Sequence, residues 1–155
     1  MTSLQRVLES QRDKAYAALR ILAGLMFAFH GVQKLFGLWT THVPPVGSQL
    51  WVGGVIEFVG GSLIAFGAFT TWAAFLASGT MAVAYIQYHW KFRFRATFFP
   101  ALNDGELAIV YCLVFLFIAC AGSGMLSIDG IRAGRSRRSV GSIHGHVTRS
   151  SASVD

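Results

Sequence analysis

The stretch WVGGVIEFVGGSLIAFGAFT, residues 51–70, carries a single charged side chain, Glu57, in twenty residues. A helix needs about 20 predominantly apolar residues to cross the hydrocarbon core of a bilayer, so the segment reads as a membrane span from Leu50 to Phe69. Gly54 and Gly60 stand three residues either side of Glu57, and Gly53 and Gly61 four. Small residues at these spacings let a neighbouring helix backbone come close. The carboxylate is therefore expected where another helix packs.

Three further runs of the same kind flank this one. Upstream lies Tyr16 to Trp39; downstream lie Thr71 to Tyr88 and Gly105 to Ala121, the last extending at most to Met125. Pro44-Pro45 closes the first run, and Phe99-Pro100 through Gly105 precedes the fourth, both strong breakers. Only Thr70 and Thr71 part the second run from the third, which predicts a tight hairpin there. The first run is not a cleavable signal: it is too long, follows a mixed-charge segment and has no small-residue cleavage site after it. The expected fold is all-α, a polytopic membrane protein with a four-transmembrane-helix bundle over residues 16–131. Residues 1–15 read as an amphipathic segment lying in the headgroup layer. Residues 132–155 read as a disordered, basic, Ser/Arg-rich tail, whose His144-Gly-His146 offers a weak metal site at most and reads first as solvated chain.

Composition agrees. Charged residues are 13% of the chain, about half the roughly 25% of a soluble domain, while 54% are hydrophobic and the mean hydropathy is +0.52. These values exclude disordered and collagen-like chains and a water-soluble globule. Two cysteines exclude a disulfide-stapled mini-domain. Thirteen Lys and Arg against seven acids give a net charge of +6, which raises nucleic-acid binding. The basic residues cap the apolar runs instead of sharing one polar face, so no nucleic-acid partner is expected. Arg6, Arg12, Lys14, Arg132, Arg135, Arg137, Arg138 and Arg149 fall with the two termini, and Lys91, Arg93 and Arg95 on the other side. The imbalance predicts both termini in the cytoplasm.

Ionisable residues inside membrane spans mark functional sites. The first span carries Arg20, His30, Gln33 and Lys34. His30 and Lys34 lie one helical turn apart on one face, and Arg20 returns to within about 40° of Lys34. Counting from the outer ends of the first two spans, His30 and Glu57 are both roughly 10–12 Å deep at helical rise. Since the two spans are antiparallel neighbours, Glu57 can meet His30, with Lys34 one turn nearer the outer surface. An unpaired carboxylate at that depth would cost several kcal/mol or protonate. The plainer alternative is a buried ion pair that fixes helix register. Gln87, His89, Asn103, Asp104, Gly105 and Glu106 gather on the same side. There Asn103 or Asp104 suits an N-cap, Glu106 complements the helix dipole, and His89 reads as interfacial. At the inner edge Asp129 lies level with Arg20, which predicts a structural Arg20–Asp129 pair.

Several chemistries fall away. Cys112 and Cys120 are eight residues apart in one span, about 12 Å along the axis, so they form no mutual disulfide. Haem ligation fails because His30 is buried while His89 is at the surface. No phosphate loop, nucleophile elbow, HExxH motif or other metal site is present. A redox role needs a bound cofactor such as a quinone, or a partner subunit.

The ordered segments HGVQKLFG (30–37), WVGGVIEFVGGSLIAFGAFT (51–70), AAFLASGTMAVAYIQYH (73–89), FFPALNDGELAIVYC (98–112) and GSGMLSIDG (122–130) resemble the DoxX family of small four-helix bacterial membrane proteins. The resemblance spans roughly residues 16 to 131. Under it, His30, Gly31, Lys34, Glu57, His89, Asn103, Gly105, Glu106 and Asp129 coincide with the family's characteristic polar and glycine positions. The KFRFR stretch (91–95) and the long Arg/Ser tail are atypical of it. The family is named for its resemblance to a membrane subunit of a thiosulfate:quinone oxidoreductase, and some members are linked to oxidative or thiol stress. The resemblance therefore implies a membrane subunit of a redox system, binding a quinone or similar small molecule and working with a redox partner in the lipid bilayer. The expected pocket comprises Glu57, His30, Lys34, Gln33, His89 and Glu106, on a framework of Arg20, Asp129, Gly31, Gly53, Gly61, Asn103 and Gly105. A small transporter or solute-binding protein using the same pocket, and a non-catalytic scaffold, stay open as alternatives.

Overall fold

The computed structural model describes residues 2–92, 94 and 98–134. The tail from Arg135, with His144 and His146, lies outside the described residues, as do Arg93 and Arg95. Among the described residues there is helix and no strand.

Helix α1 spans Ser3–Ser10 and opens with a reciprocal cap: the Thr2 hydroxyl accepts from the Gln5 amide while the Gln5 side chain accepts from the Thr2 amide. Leu4, Val7 and Leu8 form an exposed apolar stripe on it. Four long helices follow. They are α2 (Arg12–Phe36), α3 (Gln49–Phe66), α4 (Thr70–Ala84) and α5 (Glu106–Ala121). Helix α4 runs directly into a π-turn, Tyr85–Trp90, in which the Lys91 amide reaches back to the Ile86 carbonyl. A 3-10 turn, Pro100–Leu102, leads towards α5, and residues 128–134 are helical again. Among the described residues α2 and α3 are the two helices long and apolar enough on their own to cross a bilayer, and α5 is apolar but shorter.

The helices pack chiefly as pairs, α2 with α3 and α4 with α5, with α3 and α4 joined at a hairpin. Glycine makes the first pair possible. A Cβ on Gly61 would stand 2.6 Å from the Gly24 carbonyl oxygen, and one on Gly24 2.7 Å from that of Gly61. The backbones therefore touch, as small residues permit. The second pair meets through Ala73, Ala74, Ala77 and Met81 against Tyr111, Phe115 and Ile118, with Phe27 closing the core from α2. Phe27 packs on Phe115 at a centroid distance of 4.7 Å.

The hairpin differs from expectation by a few residues. Its turn is formed by Gly67 and Phe69, both left-handed at φ 68° and 49°. Thr70 is already the first residue of α4. Its amide is held by the Asp129 carboxylate at 3.0 Å, and so is its hydroxyl; the Phe69 amide donates to the same group at 3.1 Å. Asp129 thus caps a helix sixty residues away in sequence, which no local pattern encodes.

Candidate functional site

At the end of the bundle away from the hairpin, the four long helices part around a cavity of about 670 Å³. Its walls are mostly apolar, including Phe27, Ile56, Met81 and Leu107, with polar groups added by Gln49, Thr80, Tyr88 and Asp104. From α2 come His30 and Lys34, from α3 Glu57, from the π-turn His89, and from α5 Tyr111.

Glu57 dominates the electrostatics. Its side chain is 3% exposed, and its Oε1 accepts from Lys34 Nζ at 2.5 Å. Lys34 reaches it because α3 has no side chain in the way: a Cβ on Gly54 would lie 2.9 Å from the Lys34 Cβ. The other carboxylate oxygen, Oε2, is buried and has no hydrogen-bond partner among the described residues, and the same is true of the Tyr111 hydroxyl. A buried polar atom without a partner costs about 1–3 kcal/mol, so these two oxygens are unfinished chemistry on the wall of a cavity large enough for a small molecule.

His30 lines the cavity but does not bind Glu57; it stands edge-on to the Tyr111 ring at 6.3 Å. The expected His30–Glu57 meeting is thus replaced by Lys34–Glu57, since the flexible lysine stem spans the turn that the imidazole cannot. His89 is half-buried and lines the cavity. The loop before α5 folds over it, so that its Nδ1 lies 3.0 Å from the Asn103 carbonyl oxygen, and its ring stacks against Tyr85. Both histidines therefore face one cavity. Gln33 is half-buried and Glu106 exposed in the first turn of α5, and neither lines it.

The framework residues separate in the same way. Gly31 and Gly61 sit in the α2–α3 contact, whereas Gly53 faces the cavity with nothing within 4 Å of where its Cβ would be. The N-cap of α5 is Gly105, not Asn103 or Asp104. Asn103 instead turns its side-chain oxygen to the Gly105 amide at 2.8 Å. A Cβ on Gly105 would meet the Tyr85 ring at 2.7 Å, so glycine there lets the loop close on the π-turn. Arg20 is fully buried and does not pair with Asp129. Its guanidinium donates to the carbonyls of Ile64 (2.6 Å), Ala65 (2.7 Å), Met125 (3.4 Å) and Leu126 (2.8 Å). The end of α3 and the segment after α5 both point carbonyls inwards, and these acceptors reach the cation before the Asp129 carboxylate, which is engaged by α4.

Outside the spans, Asp129 titrates abnormally. Partial burial works to raise its pKa, but the Thr70 and Phe69 amides, the Thr70 hydroxyl and nearby Arg132 outweigh it and hold the carboxyl below its usual value. Tyr111 is the site residue that the sequence reading missed. Its signal was present, as the one hydroxyl in the apolar run of residues 106–121.

Comparison with known proteins agrees with this architecture. The DoxX family model matches residues 15–90. An uncharacterized protein of Haemophilus influenzae is 39% identical over 126 residues, covering 79% of this chain and 93% of its own length. No solved structure matches. The similarity to that relative along nearly its whole length, together with the family match through the first three long helices and the π-turn, makes this chain a member of the DoxX family of membrane proteins.

Proposed function

We propose that the chain crosses the bacterial inner membrane four times with both termini in the cytoplasm, and that it serves as the membrane subunit of a redox system by holding a quinone or similar small molecule at Glu57 and Lys34. Four spans are supported by the two long apolar helices, by the helical run of fifteen α-residues and six π-turn residues from Thr70 to Trp90, and by apolar α5, about 24 Å long at helical rise. Orientation rests on the excess of basic residues near the termini. A reporter active only in the periplasm, fused after Gly134, should be silent, and one inserted in the 40–48 loop active.

The observation that carries the binding role is the buried Glu57 carboxylate, half-satisfied by Lys34, with its second oxygen unpartnered on the cavity wall. A quinone fits these groups: its carbonyl oxygens are acceptors and its reduced hydroxyls donors. When bound it supplies a two-electron, two-proton carrier, the electrons coming from a redox partner subunit. The Lys34 ammonium donates a hydrogen bond to a carbonyl oxygen, and the apolar walls exclude water and strengthen that bond. Glu57 Oε2 holds or accepts the proton, and the Tyr111 hydroxyl offers a second donor.

Solvent extraction and mass spectrometry of protein purified in mild detergent tests the reading, with wild type beside Glu57→Gln. Near-stoichiometric quinone in wild type, lost in the variant, is the expected result. No quinone in either sample overturns it and moves the pocket to solute transport or scaffolding.

A further inference from the structure

The cavity has a flank that the Lys34–Glu57 pair leaves unused. Gly53 of α3 and Gly79 of α4 both line it, and a Cβ on either would meet nothing within 4 Å. Beside them Val52, Leu76 and Val83 line the cavity and are 44–55% exposed. Half-exposed walls on both helices leave the cavity open between α3 and α4.

The opening is bounded along the helix axes. Towards the hairpin, α3 and α4 converge where a Cβ on Gly60 would stand 4.0 Å from the Ala73 carbonyl oxygen. At the other end the Gln49 amide donates to Gln87 Oε1 at 2.5 Å, tying the start of α3 to the π-turn. What is left is a slot midway along two apolar helices. Glu57 stands nine residues before Phe66, where α3 ends, and Gly79 nine residues after Thr70, where α4 begins. Carboxylate and Gly79 therefore share one level, about 13–14 Å from the hairpin at helical rise, with Gly53 about one turn farther from it.

The geometry points to lateral entry: the cavity takes a hydrocarbon-tailed molecule from the bilayer, seats its polar head at Lys34 and Glu57, and leaves the tail in the slot between Gly53 and Gly79. The inference rests on the proposal that the ion pair holds a ligand head, and it adds the ligand's class, an amphiphile with an acceptor-bearing head and one long chain. Lipid tails are as apolar as the slot walls, so such a chain crosses from one to the other with no loss of favourable surroundings. A hydrophilic solute would have to leave water to pass the same gap.

The test places the full chain in nanodiscs containing a phospholipid with a photoactivatable diazirine on its acyl chain, followed by illumination and peptide mass spectrometry. Label should reach Met81 and Tyr111, which are buried on the cavity wall, as well as the outward-facing Leu113 and Leu116. Gly53→Leu/Gly79→Leu fills the slot from two positions whose Cβ meets nothing within 4 Å, and should cut labelling of Met81 and Tyr111 at least fivefold while sparing Leu113 and Leu116. Wild-type label confined to outward-facing residues overturns lateral entry whether or not the variant folds, as does cavity label that the filled variant retains. The quinone extraction fails separately: absence of quinone with label inside the cavity removes the quinone and keeps the slot, while bound quinone without such label removes the slot alone.

Discussion

At the Lys34–Glu57 pair, two ionisable side chains share one proton-accessible surface inside an apolar bundle. Removing one partner strands the other. Lys34→Met should cost about 3 kcal/mol, the lower end for a broken buried pair because the lysine is partly exposed. Adding Glu57→Gln to it should recover most of that loss, since no charge is then left unpaired. A double-mutant cycle on melting in detergent checks both statements, and equal losses for the single and double variants would contradict them. Gly54 acts on the same pair through the lysine stem. Gly54→Ala should push Lys34 aside and lower quinone retention with little change in helix content, measured by extraction beside circular dichroism. That His30, Lys34 and Glu57 come to one cavity wall was approachable from helical periodicity and span length. Which cation takes the carboxylate was not, because the answer depends on the absence of a side chain on the facing helix.

Along helix α3, Gly53 and Gly61 are indistinguishable by spacing, each four residues from Glu57. Packing separates them. Gly61→Ala forces a methyl against the α2 backbone and should cost about 1–3 kcal/mol, the usual range for overpacking, whereas Gly53→Ala meets open space and should leave the melting temperature within a degree or two. If both behave alike, the α2–α3 contact is not as described. The four apolar runs were visible in the sequence, with ends within a few residues, because span length and hydropathy are set by the chain itself. The π-turn was not. Its wider hydrogen bonding leaves no mark on a periodicity read over six residues, and it shows only once the Asn103 loop has closed over His89.

Across the whole molecule, the hairpin end is held by two groups that reach over long sequence separations, Asp129 to the start of α4 and Arg20 to carbonyls of two segments. The pKa of Asp129 is lower in the folded state than its ordinary 3.8, so the stability it contributes is fully present above that ordinary value and is lost as pH falls through the folded one. Unfolding curves should be insensitive to this group from pH 7 to 5. Below about pH 4 wild type should lose stability that Asp129→Asn has already lost at neutral pH, about 1 kcal/mol for a helix cap; parallel pH profiles for the two proteins would contradict the assignment. The expected Arg20–Asp129 pair failed because backbone carbonyls, which every residue carries, give no sequence signal as acceptors.

The Arg20 arrangement also has a history written into it, because proteins are made from one end. The arginine leaves the ribosome in the first long helix, yet two of its four acceptors, the carbonyls of Met125 and Leu126, are synthesised more than a hundred residues later. Until then a cation sits in the first helix with its hydrogen bonds incomplete, a costly state in lipid. A nascent chain interrupted before Met125 therefore lacks two of the four carbonyls that the Arg20 guanidinium engages in the finished bundle.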